Sequence, residues 1–323
     1  MPKVFREFAD VLIHDGSSWA VNDLLADIFP GRFTKISPAA IRLNATYSLV
    51  SQQYERIVLA PYSVNENDFI PSPDDMNVAG KLFLKDRGYV NLPKLSRIDE
   101  SGGYYIVRAK SNSNPVILAI NPGSGKPRGW KSGDSLKDLK LVRGRDYDFA
   151  VKMKSQGGHV HKLRFVAIWN RRKKEHTYFI TNLPPEKVSL ADIGKLYRLR
   201  WQVELTFKEL KSFTGLKKFL TGNEHIVEGF VWAALISMLL RRFIVSSAEE
   251  AHGGVRLSFH KAASSAHNFM VELVCCAFDR FHGLNSVLTD IFDYLQRTVK
   301  FSNPHKQSAF EQCVMGEPLS CAA

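Results

Sequence analysis

The chain has 323 residues, 45% hydrophobic and 24% charged, enough apolar material for a sizeable core in two or three substructures of a globular protein. A formal net charge of +12 and a pI near 9.5 favour a polyanionic partner over an acidic small molecule. Cys275, Cys276, Cys313 and Cys321 crowd into the last fifth without a CxxC spacing, and no apolar signal core opens the chain, so they read as reduced thiols of a cytosolic protein.

In chain order, Val11-Leu12-Ile13-His14-Asp15 is a short apolar run ending in an acid, followed by Gly16-Ser17-Ser18. This predicts a strand emptying into a turn, with the Asp15 carboxylate projected just past the strand end. The lone His14 beside it reads as structural. Runs over Ala39 to Val50 and Arg56 to Tyr62 flank a polar Ser51-Gln52-Gln53 and predict a hairpin. After a connection rich in Pro and Asp, Lys81 to Lys85 predicts an apolar strand that closes on Asp86, with Gly88 following. Asp beside Gly is common turn chemistry, so neither acid stands out alone. Tyr104 to Ala109 predicts the last strand of a first segment, residues 1–109.

Residues 110–185 change character, with 16 Lys or Arg against 5 Asp or Glu, a surplus of 11. Short strand-like runs (Val116 to Ile120, Asp148 to Met153, Lys162 to Trp169, Thr177 to Thr181) alternate with Gly, Pro and basic turns, predicting a basic β-rich insertion. Gly123-Ser124-Gly125-Lys126-Pro127 lacks the spacing and the following Ser or Thr of a P-loop, so it implies phosphate contact and no nucleotide cofactor. His159 and His161 have no third ligand nearby and read as a strand pair. Arg171-Arg172-Lys173-Lys174 fits a solvated turn or a phosphate contact equally. Trp130 and Trp169 suit core packing better than base stacking.

Ser189-Leu190-Ala191-Asp192 predicts a capping box opening a helix that Gly215 closes. Within it, Tyr197, Arg200, Glu204 and Lys211 fall in a stripe about 60° wide at roughly 100° per residue, beside an apolar stripe of Leu196, Leu199, Val203, Phe207 and Leu210. Spacing alone fits a solvated helix with Glu and Lys pairs as well as a site. Ile226 to Ser247 predicts an apolar helix packed on the sheet. Its most apolar part, Phe230 to Leu240, ends at Arg241-Arg242 and is too short to span a bilayer. Helices over Ala262 to Phe281 and Leu284 to Val299, then a polar, frayed end, complete a helical region, residues 248–323.

Tyr, two residues, Arg, three residues, Glu, six residues, Lys, here Tyr197, Arg200, Glu204 and Lys211, resembles the signature of the IS-four family of bacterial insertion-sequence DDE transposases. Asp-Gly-Ser at 15 to 17 and Asp-Arg-Gly-Tyr at 86 to 89 resemble the first two acid motifs of the same family. The resemblance covers about residues 10 to 245. It implies a ribonuclease-H-like α/β fold, a mixed sheet flanked by helices, with the catalytic domain resuming over residues 186–247 after the insertion. Members of the family carry a long stretch before the first acid, so the resemblance also implies a shortened N-terminus.

The resemblance further implies that Asp15, Asp86 and Glu204 are catalytic and hold two Mg²⁺ ions, for which Mn²⁺ can substitute, while Tyr197, Arg200 and Lys211 bind DNA. Three carboxylates suit a hard divalent cation, and two such ions roughly 3.5 to 4 Å apart serve both the attacking and the leaving oxygen of a phosphodiester. The expected activity is cleavage and strand transfer of transposon-end DNA by a homodimer in the bacterial cytoplasm. Its rivals are a DNA-binding remnant without catalysis, and a ribonuclease-H-like nuclease without strand transfer.

Overall fold

Ten strands and seven helices account for the regular structure in the computed structural model, which describes residues 7–33, 35–51, 53–213, 219–253 and 257–300. The strands are β1 (Asp10–Ala20), β2 (Pro30–Phe33), β3 (Ser37–Ser48), β4 (Tyr54–Pro61), β5 (Lys81–Lys85), β6 (Tyr104–Arg108), β7 (Val116–Ile120), β8 (Tyr147–Lys154), β9 (Val160–Asn170) and β10 (Glu175–Thr181). The helices are α1 (Leu92–Glu100), α2 (Leu190–Arg198), α3 (Trp201–Phe213), α4 (Glu224–Ala251), α5 (Phe259–Ser264), α6 (His267–Phe278) and α7 (Leu284–Thr298).

All ten strands join one sheet in the order β2-β3-β1-β5-β6-β10-β9-β8-β7, with β4 paired to β3. The centre is mixed: β1 lies antiparallel to β3 and parallel to β5, which is parallel to β6. Helices on both faces complete a ribonuclease-H-like fold. The basic segment is β-rich, and its strands do not close on themselves, because β10 pairs with β6 and so carries β9, β8 and β7 onto the same sheet. Arg164 fixes that junction, gripping Asp148 through Nε and Nη2 and donating Nη1 to the Leu183 and Val188 carbonyls.

Side chains alternate across a strand, which sorts β1 into two cores. Val11 and Ile13 join Leu82, Leu84 and the apolar sides of α2, α3 and α4. Leu12 and Phe83 face the other way, with Leu92, Leu95 and Ile98 of α1. Phe207 and Leu210 are buried in the first of these cores, and truncating either to Ala costs about 2–5 kcal/mol.

Three expectations need correction. β1 does not empty into a turn at Gly16 but continues to Ala20, because residues 15–20 keep pairing with β3 after the parallel partner β5 has ended at Lys85. The predicted signature helix is two helices: Leu199–Arg200 forms a tight turn, with i to i+3 bonds from the amides of Leu199, Arg200, Gln202 and Val203. The apolar run extends into the 28-residue α4, long and apolar enough to cross a membrane by length and composition. Val227, Val231, Ala234, Leu235 and Met238 of that helix instead lie in the first core. Gly215 and the polar end at 301–323 fall outside the described residues.

Candidate active site

Asp15 owes its position to strand register. Its neighbour His14 is the last residue of β1 paired with β5, so the Asp15 carboxylate stands where the sheet opens on that side. By alternation it projects with Val11 and Ile13 toward α3. Gly16 donates its amide to Asp15 Oδ1 at 2.8 Å, and a Cβ at Gly16 would come within 3.2 Å of Asn44 Oδ1. Asp86 follows β5 directly, with extended backbone at the entry to a short 3-10 turn over Arg87–Tyr89. The two acids thus stand side by side where the parallel pairing of β1 and β5 ends.

The third acid arrives from the helices. Ser189 caps α2, accepting from the Asp192 amide, and α2 ends by placing Tyr197 against Phe179, ring centroids 4.8 Å apart. The Tyr197 hydroxyl donates to Asp86 Oδ1 at 3.0 Å. The tight turn that follows buries Leu199 and turns Arg200 inward. Arg200 Nη1 donates to Asp15 Oδ2 at 2.9 Å, and Nη2 donates to Glu204 Oε1. One planar fork therefore spans both acids and keeps their bonded oxygens within about 8 Å of each other.

The electrostatics follow from this crowding. Burial pushes the Asp15 carboxyl up to about 6; Arg200 opposes the shift, and the charges of Glu204 and Asp86 reinforce it. Burial outweighs a direct ion pair here. For Arg200 the balance is reversed: burial disfavours its charge, but Tyr197, Asp15 and Glu204 together hold it above the ordinary guanidinium range. Burial and the Asp86 charge raise the Tyr197 phenol, which stays a donor.

Five of the six predicted site residues thus meet: Asp15, Asp86, Glu204, Tyr197 and Arg200. Lys211 does not join them. It lies further along α3, its Nζ 5.4 Å from the centroid of Trp19 on β1, and partial burial lowers its pKa. Among the described residues no three His, Cys, Asp or Glu side chains stand in metal-cluster geometry. The guanidinium of Arg200 fills the space between Asp15 and Glu204 and is the cation that they face. The donor set still suits a hard divalent ion: carboxylate oxygens only, one of them on an acid whose burial disfavours its charge.

Two residues behind the site stand outside the sequence motifs. His14 and Lys85, register partners on the opposite sheet face, are both fully buried. His14 Nδ1 meets Thr46 Oγ1 at 3.0 Å, whereas Lys85 Nζ has no hydrogen-bond partner and burial lowers its pKa to about 7. His14 was legible as a structural strand residue, whereas the one trace of Lys85 in the sequence is a lysine at an inward position of β5, in line with Phe83.

Residues 6–240 match the model of the transposase DDE domain. The chain belongs to the DDE transposase family. It is similar to the transposase for insertion sequence element IS231F of Bacillus thuringiensis subsp. israelensis, 24% identical over 97% of this chain and 73% of the relative. The IS231B transposase of Bacillus thuringiensis subsp. berliner is 25% identical over 93% of this chain and 70% of its own length. The IS1151 transposase of Clostridium perfringens is 22% identical over 96% and 74%. As a DDE transposase the chain is a DNA-cleaving enzyme that depends on divalent metal ions.

Proposed function

We propose that this DDE transposase cuts the ends of an insertion sequence and joins them to target DNA by a cut-and-paste route, with Asp15, Asp86 and Glu204 as catalytic acids. The observation that carries the reading is the fork of Arg200 across Asp15 and Glu204, beside a Tyr197–Asp86 hydrogen bond. Residues remote in sequence are gathered by the strand edge and one tight turn into a group that no structural need of the sheet explains.

The three carboxylates would hold divalent ions, Mg²⁺ with Mn²⁺ as substitute, which supply Lewis acidity and charge neutralisation at the scissile phosphodiester. The remaining roles belong to side chains. Arg200 is paired with the acids here and exchanges that pairing for a bidentate grip on a phosphate when DNA and metal enter. Tyr197 orients the Asp86 carboxylate through its hydroxyl. Lys211, one helix segment away, contacts a phosphate further along the same strand. Water cuts one strand, and the freed 3′ hydroxyl attacks the opposite strand or target DNA without a covalent enzyme intermediate. The working unit is a homodimer on double-stranded DNA in the bacterial cytoplasm, without a nucleotide cofactor.

A second reading, a DNA-binding remnant without catalysis, draws on one observation: Arg200 fills the space between two of the acids. The two diverge in a nicking assay on DNA bearing the element's ends. Mg²⁺-dependent nicking by the wild type, lost in Asp15→Ala with DNA binding kept, is the expected result. Binding without nicking at any Mg²⁺ or Mn²⁺ concentration selects the remnant, and nicking without joining selects a plain nuclease.

A further inference from the structure

The long helix α4 carries a surface that DNA cleavage does not use. One side is committed to the core with Val203, Phe207 and Leu210 of α3. The other side holds Phe230, Trp232, Ile236, Leu239, Leu240 and Phe243, exposed by 53, 42, 56, 39, 47 and 71%. At about 100° per residue these six cover roughly half of the helix circumference. Between 229 and 243 the chain has only two charged residues, Arg241 and Arg242. Arg241 is buried, and Arg242 is bound to Glu209 at 2.8 Å. The stripe therefore carries no free charge, and half-buried Ser237 is the one polar side chain along it.

Six large side chains of about 200 Å² each, half exposed, leave on the order of 600 Å² of apolar surface, a few hundred being usual for a monomer and about 800 Å² per partner the standard interface. DNA is a poor occupant, since the stripe offers phosphates no cation. Crossing a bilayer does not fit either, since the same helix is fixed in the core by its opposite side. We propose that the stripe pairs two copies of this chain, α4 against α4, about a two-fold axis near Ile236. That axis sets Ile236 against its own counterpart, Trp232 near Leu240, and Phe230 near Phe243, so that the patch is complementary to itself. Each copy carries +12, which opposes association at long range, but the stripe itself sets no cation against its counterpart. The proposal deepens the homodimer of the preceding reading, yet the association itself needs neither DNA nor metal.

The test is sedimentation velocity of the full chain without DNA at micromolar concentration. The wild type should run at twice the 36.5 kDa chain mass. Ile236→Glu places two carboxylates across the axis and should weaken association about 100-fold, as should Phe243→Glu, with unchanged circular dichroism because both side chains are exposed. Val271→Glu, on the exposed side of α6, should leave the dimer intact. A wild-type monomer up to high micromolar concentration overturns the proposal, as does a dimer indifferent to both glutamates. So does a monomer whose stripe takes up a hydrophobic dye only after residues 301–323 are removed, or binding to lipid vesicles in place of self-association. Loss of nicking in an intact dimer counts against the cleavage reading and leaves this one standing.

Discussion

The two ends of the sheet handle positive charge in opposite ways. Around Asp15 three arginines are sunk and paired, Arg200 with Asp15 and Glu204, Arg242 with Glu209, and Arg42 with Glu66, while Lys85 is buried without a hydrogen-bond partner. On the strands from β7 to β10 the surplus stands in water, most plainly at Arg171-Arg172-Lys173-Lys174 on the turn between β9 and β10, all exposed. Arg164 is the exception there, buried on Asp148, and its work is to hold the junction. A solvated cation attracts a polyanion wherever it sits, whereas a buried one is costly unless its partners are placed for it. Solvated charge gives affinity; buried, paired charge gives geometry.

If that division is right, substitutions at the two ends should separate rate from binding. The largest effects belong to the acids. Asp15→Ala, Asp86→Ala and Glu204→Ala should each lower Mg²⁺-dependent nicking at saturating DNA by about 10³-fold or more, with DNA affinity nearly unchanged. A full rate in any one of them removes that acid from the site. Arg200→Lys comes next. A lysine keeps the charge but cannot fork across Asp15 and Glu204, so nicking should fall on the order of 10²-fold while the salt dependence of binding stays the same. If Lys restores the wild-type rate, charge alone is enough and the fork is incidental.

The basic turn should behave in reverse. Replacing Arg171, Arg172, Lys173 and Lys174 with Ala should leave the rate at saturating DNA untouched and weaken binding about tenfold. The slope of log K against log salt should flatten by about 0.9 for each phosphate that the turn no longer neutralises. A changed rate with unchanged slope would place this turn in the site after all.

The same contrast divides the legible features of the chain from the hidden ones. Most strands were legible as short apolar runs: β5 ends at Lys85, directly before Asp86, and the β3–β4 hairpin turns between Ser48 and Tyr54, around the polar segment that suggested it. The short β2 over Pro30–Phe33 and the order of strands in the sheet were not. The helix carrying Glu204 was legible as a spacing of residue types. The tight turn at Leu199–Arg200 was not, because nothing local to that sequence breaks a helix; packing of Leu199 into the core imposes the turn. The continuation of β1 beyond Asp15 depends on a partner strand about thirty residues away, and Gly16 gave the opposite local signal. Lys85 shows the remaining gap, since a lysine at a strand end looks solvated until α1 covers it.

The smallest expected effect tests whether the Asp15 charge is as strained as its burial implies. In the metal-free protein its pKa lies near 6, against 3.8 unperturbed. The folded state therefore holds this proton more tightly than the unfolded chain does. On the acid side of 3.8 both states are protonated and the group contributes nothing; as pH rises through 6 the buried charge develops and folded stability is lost. Asp15→Asn abolishes that charge and leaves Arg200 its bond to Glu204. Without metal the variant should be more stable than wild type by on the order of 2 kcal/mol at about pH 8, with the difference shrinking toward zero at about pH 4. Thermal melts in chelator across that range measure it. Added Mg²⁺ should reverse the order at the alkaline end by stabilising only the wild type, since a bound cation favours the folded state that supplies its carboxylate. A variant less stable than wild type there in chelator would mean that the Arg200 pair outweighs burial, and the Asp15 carboxylate would then count among the paired charges of the fold and not among its strained ones.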